Sequence, residues 1–317
     1  MNRTFPTLDD IRQAAGRIEP YAHRTPVMTC AGLNTMAGSE LYFKCENFQK
    51  AGAFKFRGAC NAVFSLSREE AARGVATHSS GNHAQAVALA ARLRDIPAYV
   101  VMPSDSPAVK RAAVEEYGAD ITFCEPTLAD RERTLDRVVA ETGAVFIHPY
   151  NDERVIAGQG TAALEFLEDQ ANCDVLIAPV GGGGLLSGTL LTVKTRFPEI
   201  KVFGAEPAGA DDAYRSLRAG RIIPAEHPST IADGLRTSLG DLTFPIIQSY
   251  VDDILTVSES AIIAAMRAIW ERMKIIVEPS AAVSLGVLLE HQRFQGLRIG
   301  VILSGGNADL DHLPWHT

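Results

Sequence analysis

Apolar runs and helical periodicities alternate along almost the whole chain, and this alternation predicts an α/β fold with parallel strands. The clearest stretch is 74–124. There "GVATHSS" reads as a strand and turn, "NHAQAVALAARLRD" as a helix and "PAYVVMP" as a strand. "SPAVKRAAVEEYG" then reads as a helix and "DITFCE" as a third strand. Strands joined in this way form a βαβαβ unit with right-handed crossovers. "GAVFIHP" over 143–149 predicts a fourth strand. A second series begins at "DVLIAPV" (174–180), which is apolar without alternation, as in a strand buried on both faces. It runs through four glycines into the helix "LLSGTLLTVKTR". "KVFGAEP" (201–207), "DDILTVS", a long helix from Ser258 to about Lys274 and the strand "RIGVILSGG" (298–306) complete the series. The expected architecture is two open, twisted, mostly parallel sheets flanked by helices. A smaller α/β domain of 74–150 would be inserted into a larger one made of 1–73 and 151–317. In such sheets ligands bind beyond the carboxyl ends of the strands.

The chain has 317 residues, 46% apolar and 21% charged, enough for a large buried core and about two domains. A formal net charge of -8 argues against nucleic acid as a partner. No apolar run approaches the roughly 20 residues of a membrane span. The opening "MNRTFPTLDDIRQAAGRI" has no apolar leader core and reads as a capped first helix. Cys30, Cys45, Cys60, Cys124 and Cys173 are scattered, odd in number and never spaced as Cys-x-x-Cys. Neither a disulfide framework nor a zinc site is indicated, and a reduced, cytoplasmic compartment is expected.

Several motifs fall at strand ends. Gly181, Gly182, Gly183 and Gly184 end an apolar strand and open a helix, where backbone N–H groups can approach an anion. No Gly-Lys-Ser/Thr follows, so this is not the loop of a nucleoside-triphosphate hydrolase, and a turn needed only for packing is the plainer alternative. Lys55 lies in "AGAFKFRGA", among small and aromatic residues. A lysine forms a Schiff base only as the neutral amine, which burial and a nearby cation favour. A surface lysine on a helix is the alternative, and Lys50 or Arg57 could be the important cation instead. Ser79, Ser80, Gly81, Asn82 and His83 lie at a strand-to-helix turn, either as a carboxylate site or as a simple N-cap. Glu206, Asp211 and Asp212 could hold a hard cation or only favour a helix dipole. Ser304 to Asn307 end the last apolar strand, as a cofactor contact or a plain turn. No Gly-x-Ser-x-Gly elbow is present, which argues against a serine hydrolase.

Taken in order, "FKCENFQKAGAFKFRGA", "THSSGNHAQA", "VIAGQGT", "GGGGLLSG", "IADG" and "LSGGN" resemble the pyridoxal-phosphate enzymes of the tryptophan-synthase β fold, fold type II. Within them the chain is similar to the group of serine/threonine dehydratases, serine racemases and 3-hydroxyaspartate dehydratases. The resemblance implies that Lys55 carries pyridoxal 5'-phosphate and moves the α-proton, with Ser80 as the proton-transfer group on the opposite face. It implies further that Phe54 packs near the ring and Asn82 bonds its phenolic oxygen. Gly181 to Gly184 with Leu185 would cradle the phosphate, and Ser304 would meet the ring nitrogen. Ser79, Asn82 and His83 would bind the substrate carboxylate, and Arg131 a second one on the side chain. Glu206, the carbonyl of Ala210 and Asp212 match a site for Mg²⁺, or Ca²⁺ or Mn²⁺. Ala53 stands where many threonine dehydratases have serine, which draws the reading toward hydroxyaspartate and serine enzymes.

The implied activity is elimination of water from 3-hydroxyaspartate, L-serine or L-threonine, giving an oxo acid and ammonia. The alternative is a serine racemase with side dehydratase activity. A nucleotide-binding oxidoreductase, or a phosphate-binding module without catalysis, is the more remote alternative. A homodimer acting on a small amino acid is implied as well, with room for a nucleotide effector.

Overall fold

The computed structural model describes residues 5–79, 81–106 and 108–315, apart from the side chains of 108–110. The runs read as strands become β1 (Val27–Met28), β2 (Glu40–Cys45), β3 (Val75–His78), β4 (Ala98–Pro103) and β5 (Asp120–Cys124). They continue as β6 (Val145–Phe146), β7 (Val175–Pro179), β8 (Lys201–Pro207), β9 (Asp253–Val257) and β10 (Arg298–Leu303). They form two sheets, ordered β1-β2-β10-β7-β8-β9 and β5-β4-β3-β6. The smaller sheet is parallel throughout. The larger is parallel except for β1, which pairs antiparallel with β2 at the edge. The fold is thus α/β with two mostly parallel sheets flanked by helices, as the alternation predicts.

Burial on both faces explains the continuous apolar runs. Ile177 of β7 and Val301 of β10 enter one core, with the helices Glu259–Met273 and Pro279–Glu290. Their neighbours Leu176, Ala178 and Ile302 enter the other, beneath the helix Gly184–Arg196. Each residue points opposite to the next, so both must be apolar. The smaller sheet shares its core with Phe56, Ala59, Cys60 and Val63 of the helix Lys55–Ser65. That helix packs against both Asn82–Arg94 and Glu153–Asp169, which places its first residue, Lys55, at the junction of the two sheets.

The first helix is Leu8–Ile18, opened by a reciprocal cap between Thr7 and Asp10. The strand expected over 143–149 is only Val145–Phe146. Ile147 N still donates to the Ala76 carbonyl at 2.9 Å, but the Ile147 carbonyl accepts from Thr77 Oγ1 and His83 Nε2, each at 3.0 Å, and the ladder stops there. The chain between β6 and the next helix thereby joins the site.

Candidate active site

The Lys55 loop is stitched to the loop that follows β10. Phe54 N donates to the Ser304 carbonyl at 2.9 Å, and Gly306 N to the Gly52 carbonyl at 2.8 Å. Lys55 then begins its helix with its stem beside Phe54, Nζ lying 5.2 Å from the ring centroid. Nζ donates to the Pro149 carbonyl at 2.8 Å. Burial lowers the pKa of this amine to about 8, with Glu278 acting in the opposite sense. Lys55 is therefore a lysine that can reach the neutral, nucleophilic form near neutral pH.

The residue after Pro149 lies over the glycine loop. A Cβ at Gly182 would stand 2.2 Å from the Tyr150 ring, and one at Gly184 would stand 3.0 Å from Tyr150 Cβ. Gly183 has φ +89°, a left-handed value that side chains disfavour. The loop is anchored from behind by Thr243 Oγ1, which donates to the Gly182 carbonyl at 2.8 Å. Leu185, in the first turn, is buried. The result is a side-chain-free cradle at a helix N-terminus, suited to a phosphate. Pro149 and Tyr150 link it directly to Lys55.

The turn after β3 supplies the facing wall. Asn82 starts the helix Asn82–Arg94, and its Nδ2 donates to both carboxylate oxygens of Glu278, at 2.9 and 3.0 Å. His83 is buried, with Nε2 on the Ile147 carbonyl and Nδ1 buried without a partner. Burial, then the Lys55 charge, holds His83 well below its ordinary pKa, so its ring is neutral. Ser79 Oγ accepts from Gly81 N at 3.2 Å, a local turn bond. Ser80 lies outside the described residues. Arg131, half-buried on the helix Leu128–Thr142, has Nε buried without a partner. Its charge reaches both His78 and Tyr150.

The acidic group lies at the end of β8. The buried Glu206 carboxylate accepts from Ala213 N and Tyr214 N, each at 2.8 Å. Asp211 is instead paired with Arg215 Nε at 2.7 Å. Asp212 is buried and neither of its carboxylate oxygens has a partner. Burial raises the pKa of Glu206 to about 9 and that of Asp212 to about 7. Ala210 is buried beside them in the short turn Ala208–Ala210. Among the described residues no group of three or more His, Cys, Asp or Glu is placed to hold a metal ion.

Tyr150, Thr243 and Glu278 come from three separate segments, none marked by a glycine- or serine-rich turn at a strand end. The one available signal was positional: "HPY" directly follows a strand of the smaller sheet.

An α/β fold with a part-buried amine at the sheet junction, joined through one short segment to a glycine cradle, suits an enzyme that holds a phosphorylated aldehyde as cofactor. A family model described as pyridoxal-phosphate dependent enzyme matches residues 18–305, and the chain belongs to that family. The beta-hydroxyaspartate dehydratase of Paracoccus denitrificans is 53% identical over 313 residues, covering 98% of this chain and 99% of its own. The serine racemase of Dictyostelium discoideum is 52% identical, covering 97% and 96%. The structure of maize serine racemase superposes with a TM-score of 0.96 at 48% identity, covering 99% and 97%.

Proposed function

We propose that this protein removes water from β-hydroxy amino acids, with 3-hydroxyaspartate preferred over L-serine and L-threonine, and releases an oxo acid and ammonia. It is a pyridoxal-phosphate dependent lyase whose site can also serve racemisation of serine. The carrying observation is Lys55, an amine lowered to about 8 that bonds the Pro149 carbonyl, one residue from the ring that covers the glycine cradle.

The residues present fit pyridoxal phosphate: a cradle that any Cβ would crowd, and an amine able to lose its proton. When bound, the cofactor supplies an electron sink for the pair left as the α-proton departs. The chain supplies the rest. Gly181 to Gly184 and Leu185 hold the phosphate by backbone N–H groups and the helix N-terminus. Phe54 packs beside Lys55; Asn82 would offer an amide to the phenolic oxygen, and Ser304 would meet the ring nitrogen. Neutral Lys55 takes the α-proton. Ser79, Asn82 and His83 receive the α-carboxylate, and Ser80 serves the opposite face when serine is racemised. Arg131, with Nε unpartnered, receives the second carboxylate of 3-hydroxyaspartate.

Glu206, the Ala210 carbonyl and Asp212 hold a divalent cation such as Mg²⁺ in this reading. The support is the buried, unpartnered Asp212 carboxylate beside a second carboxylate. The reading also includes a cytoplasmic homodimer, and a division into 1–73 with 151–317 and an inserted 74–150. Five free cysteines accord with a reduced compartment.

The test is assay of ammonia and oxo acid from L-serine, L-threonine and the 3-hydroxyaspartate stereoisomers. Lys55→Ala should lose both turnover and the visible absorbance of bound cofactor; a variant that still eliminates water would refute the assignment. Arg131→Gln should raise KM for 3-hydroxyaspartate about 10–100-fold, the worth of a lost charged pair, while leaving serine nearly unchanged. An equal change for both substrates would show that Arg131 does not read the second carboxylate.

A further inference from the structure

Glu278 has no part in the roles assigned above. It stands before the helix Pro279–Glu290, where its backbone N donates to the Gly305 carbonyl at 3.0 Å. Its side chain is 4% exposed and makes no cap bond to its own helix. Both carboxylate oxygens instead face Asn82 Nδ2, at 2.9 and 3.0 Å. On the other side of that amide, Asn82 Oδ1 accepts from Asn307 Nδ2 at 2.9 Å, and Asn307 Nδ2 also donates to the Ala51 carbonyl at 2.8 Å. The carboxylate fits so closely that a Cβ at Gly305 would stand 2.7 Å from Glu278 Oε1. Asn307, itself tied to the Lys55 loop, and Glu278 thus hold the Asn82 amide from its two sides, with Glu278 as the charged partner.

An amide can turn either its N–H or its carbonyl toward a ligand, and the two differ little in shape. A carboxylate only accepts, so it admits only the Nδ2 side. With its two oxygens nearly equidistant from Nδ2, the carboxylate shares one hydrogen and leaves the second to the site. We propose that Glu278 is a positioning residue acting through Asn82: it orients the amide so that an N–H, and not the carbonyl, meets the phenolic oxygen of the cofactor. The proposal rests on the pyridoxal-phosphate reading of Lys55.

Glu278→Gln replaces the carboxylate with an amide that donates as well as accepts, so Asn82 is free to turn over. The expected result is a roughly 10-fold weaker apparent Kd for pyridoxal phosphate, measured by equilibrium dialysis. A changed balance between the cofactor's visible and near-ultraviolet bands should accompany it. In an Asn82→Ala background the same substitution should change Kd by less than about twofold, because the group it acts through is gone. A Glu278→Gln protein with wild-type Kd and wild-type bands overturns the proposal, as does an equal loss in both backgrounds. Should Glu278→Gln fail to fold, Glu278→Asp draws the carboxylate one methylene back and carries the same comparison. A loss present only with Asn82 supports the proposal, and an equal loss or none overturns it. A wild-type protein that takes up no cofactor, shown by the absence of a borohydride-sensitive visible band, would sink the Lys55 reading itself. A normal wild-type band with an unaffected variant sinks only the role of Glu278.

Discussion

Lys55 shows how much a neighbourhood decides about one side chain. In the sequence it is a lysine among small residues. In the fold its amine meets a carbonyl, an aromatic ring and a buried carboxylate's field, and burial brings it within reach of neutrality. The nearby imidazoles follow the same rule. His78 and His148 are each lowered to about 4, burial first, and His83 lies well below its ordinary value. Their folded-state values lie below the ordinary 6.5, so the unfolded chain binds protons that the folded one refuses. The stability they contribute is complete above about 6.5 and is lost as pH falls toward about 4. Urea midpoints should therefore drop steadily across that window, and His78→Gln should flatten the slope. An unchanged slope in the variant would show that His78 is not titrating. The lysine, the glycines and Asn82 were legible because each sits in a compact local motif. Tyr150, Thr243 and Glu278 were not, because nothing local in their segments announces that they meet the motifs.

The helix Lys55–Ser65 shows why Lys55 is held so firmly. Two residues on, the wholly buried Arg57 bonds Glu46 through Nε and Nη2 at 2.7 and 2.9 Å. It also bonds Glu165 through Nη1 and Nη2 at 2.7 and 2.8 Å. Buried Lys44 donates to the same Glu165 at 2.6 Å and to the Thr25 carbonyl at 2.7 Å. Two cations and two carboxylates thus neutralise each other behind the start of the helix. Removing one partner of such a group leaves a buried charge uncompensated, at a cost of about 3–5 kcal/mol. Arg57→Met should lower the urea-unfolding free energy by about that amount, and Arg57→Lys, lacking the planar fork, should recover only part. Full recovery by lysine would mean that charge alone matters there. The sequence raised Arg57 as a rival to Lys55 for the functional role; the fold separates the two by direction, one side chain toward the cradle and the other into the core. The shortened β6 has a similar cause: side-chain donors capture the Ile147 carbonyl before the ladder can.

Across the molecule, alternation predicted both sheets, because strands buried on two faces leave an unbroken apolar record. The acidic group at the end of β8 was legible only as an alternative, since spacing cannot tell a paired carboxylate from a bare one. The structure separates them: Asp211 has Arg215, while Asp212 has no partner. With folded-state values raised to about 9 for Glu206 and about 7 for Asp212, the cation-free fold keeps protons that the unfolded chain has released. These two groups therefore lower its stability as pH rises from about 4, with the loss complete above about 9. A divalent cation takes the protons' place and competes with them, so it binds better as pH rises. At a hundredfold excess over Kd it should add about 2.7 kcal/mol. The rise in Tm on adding Mg²⁺, Ca²⁺ or Mn²⁺ should then be small near pH 5 and several degrees near pH 9, and absent in Asp212→Asn. A rise that is equal at both pH values, or that survives in Asp212→Asn, would place the cation elsewhere and leave these carboxylates as proton carriers only.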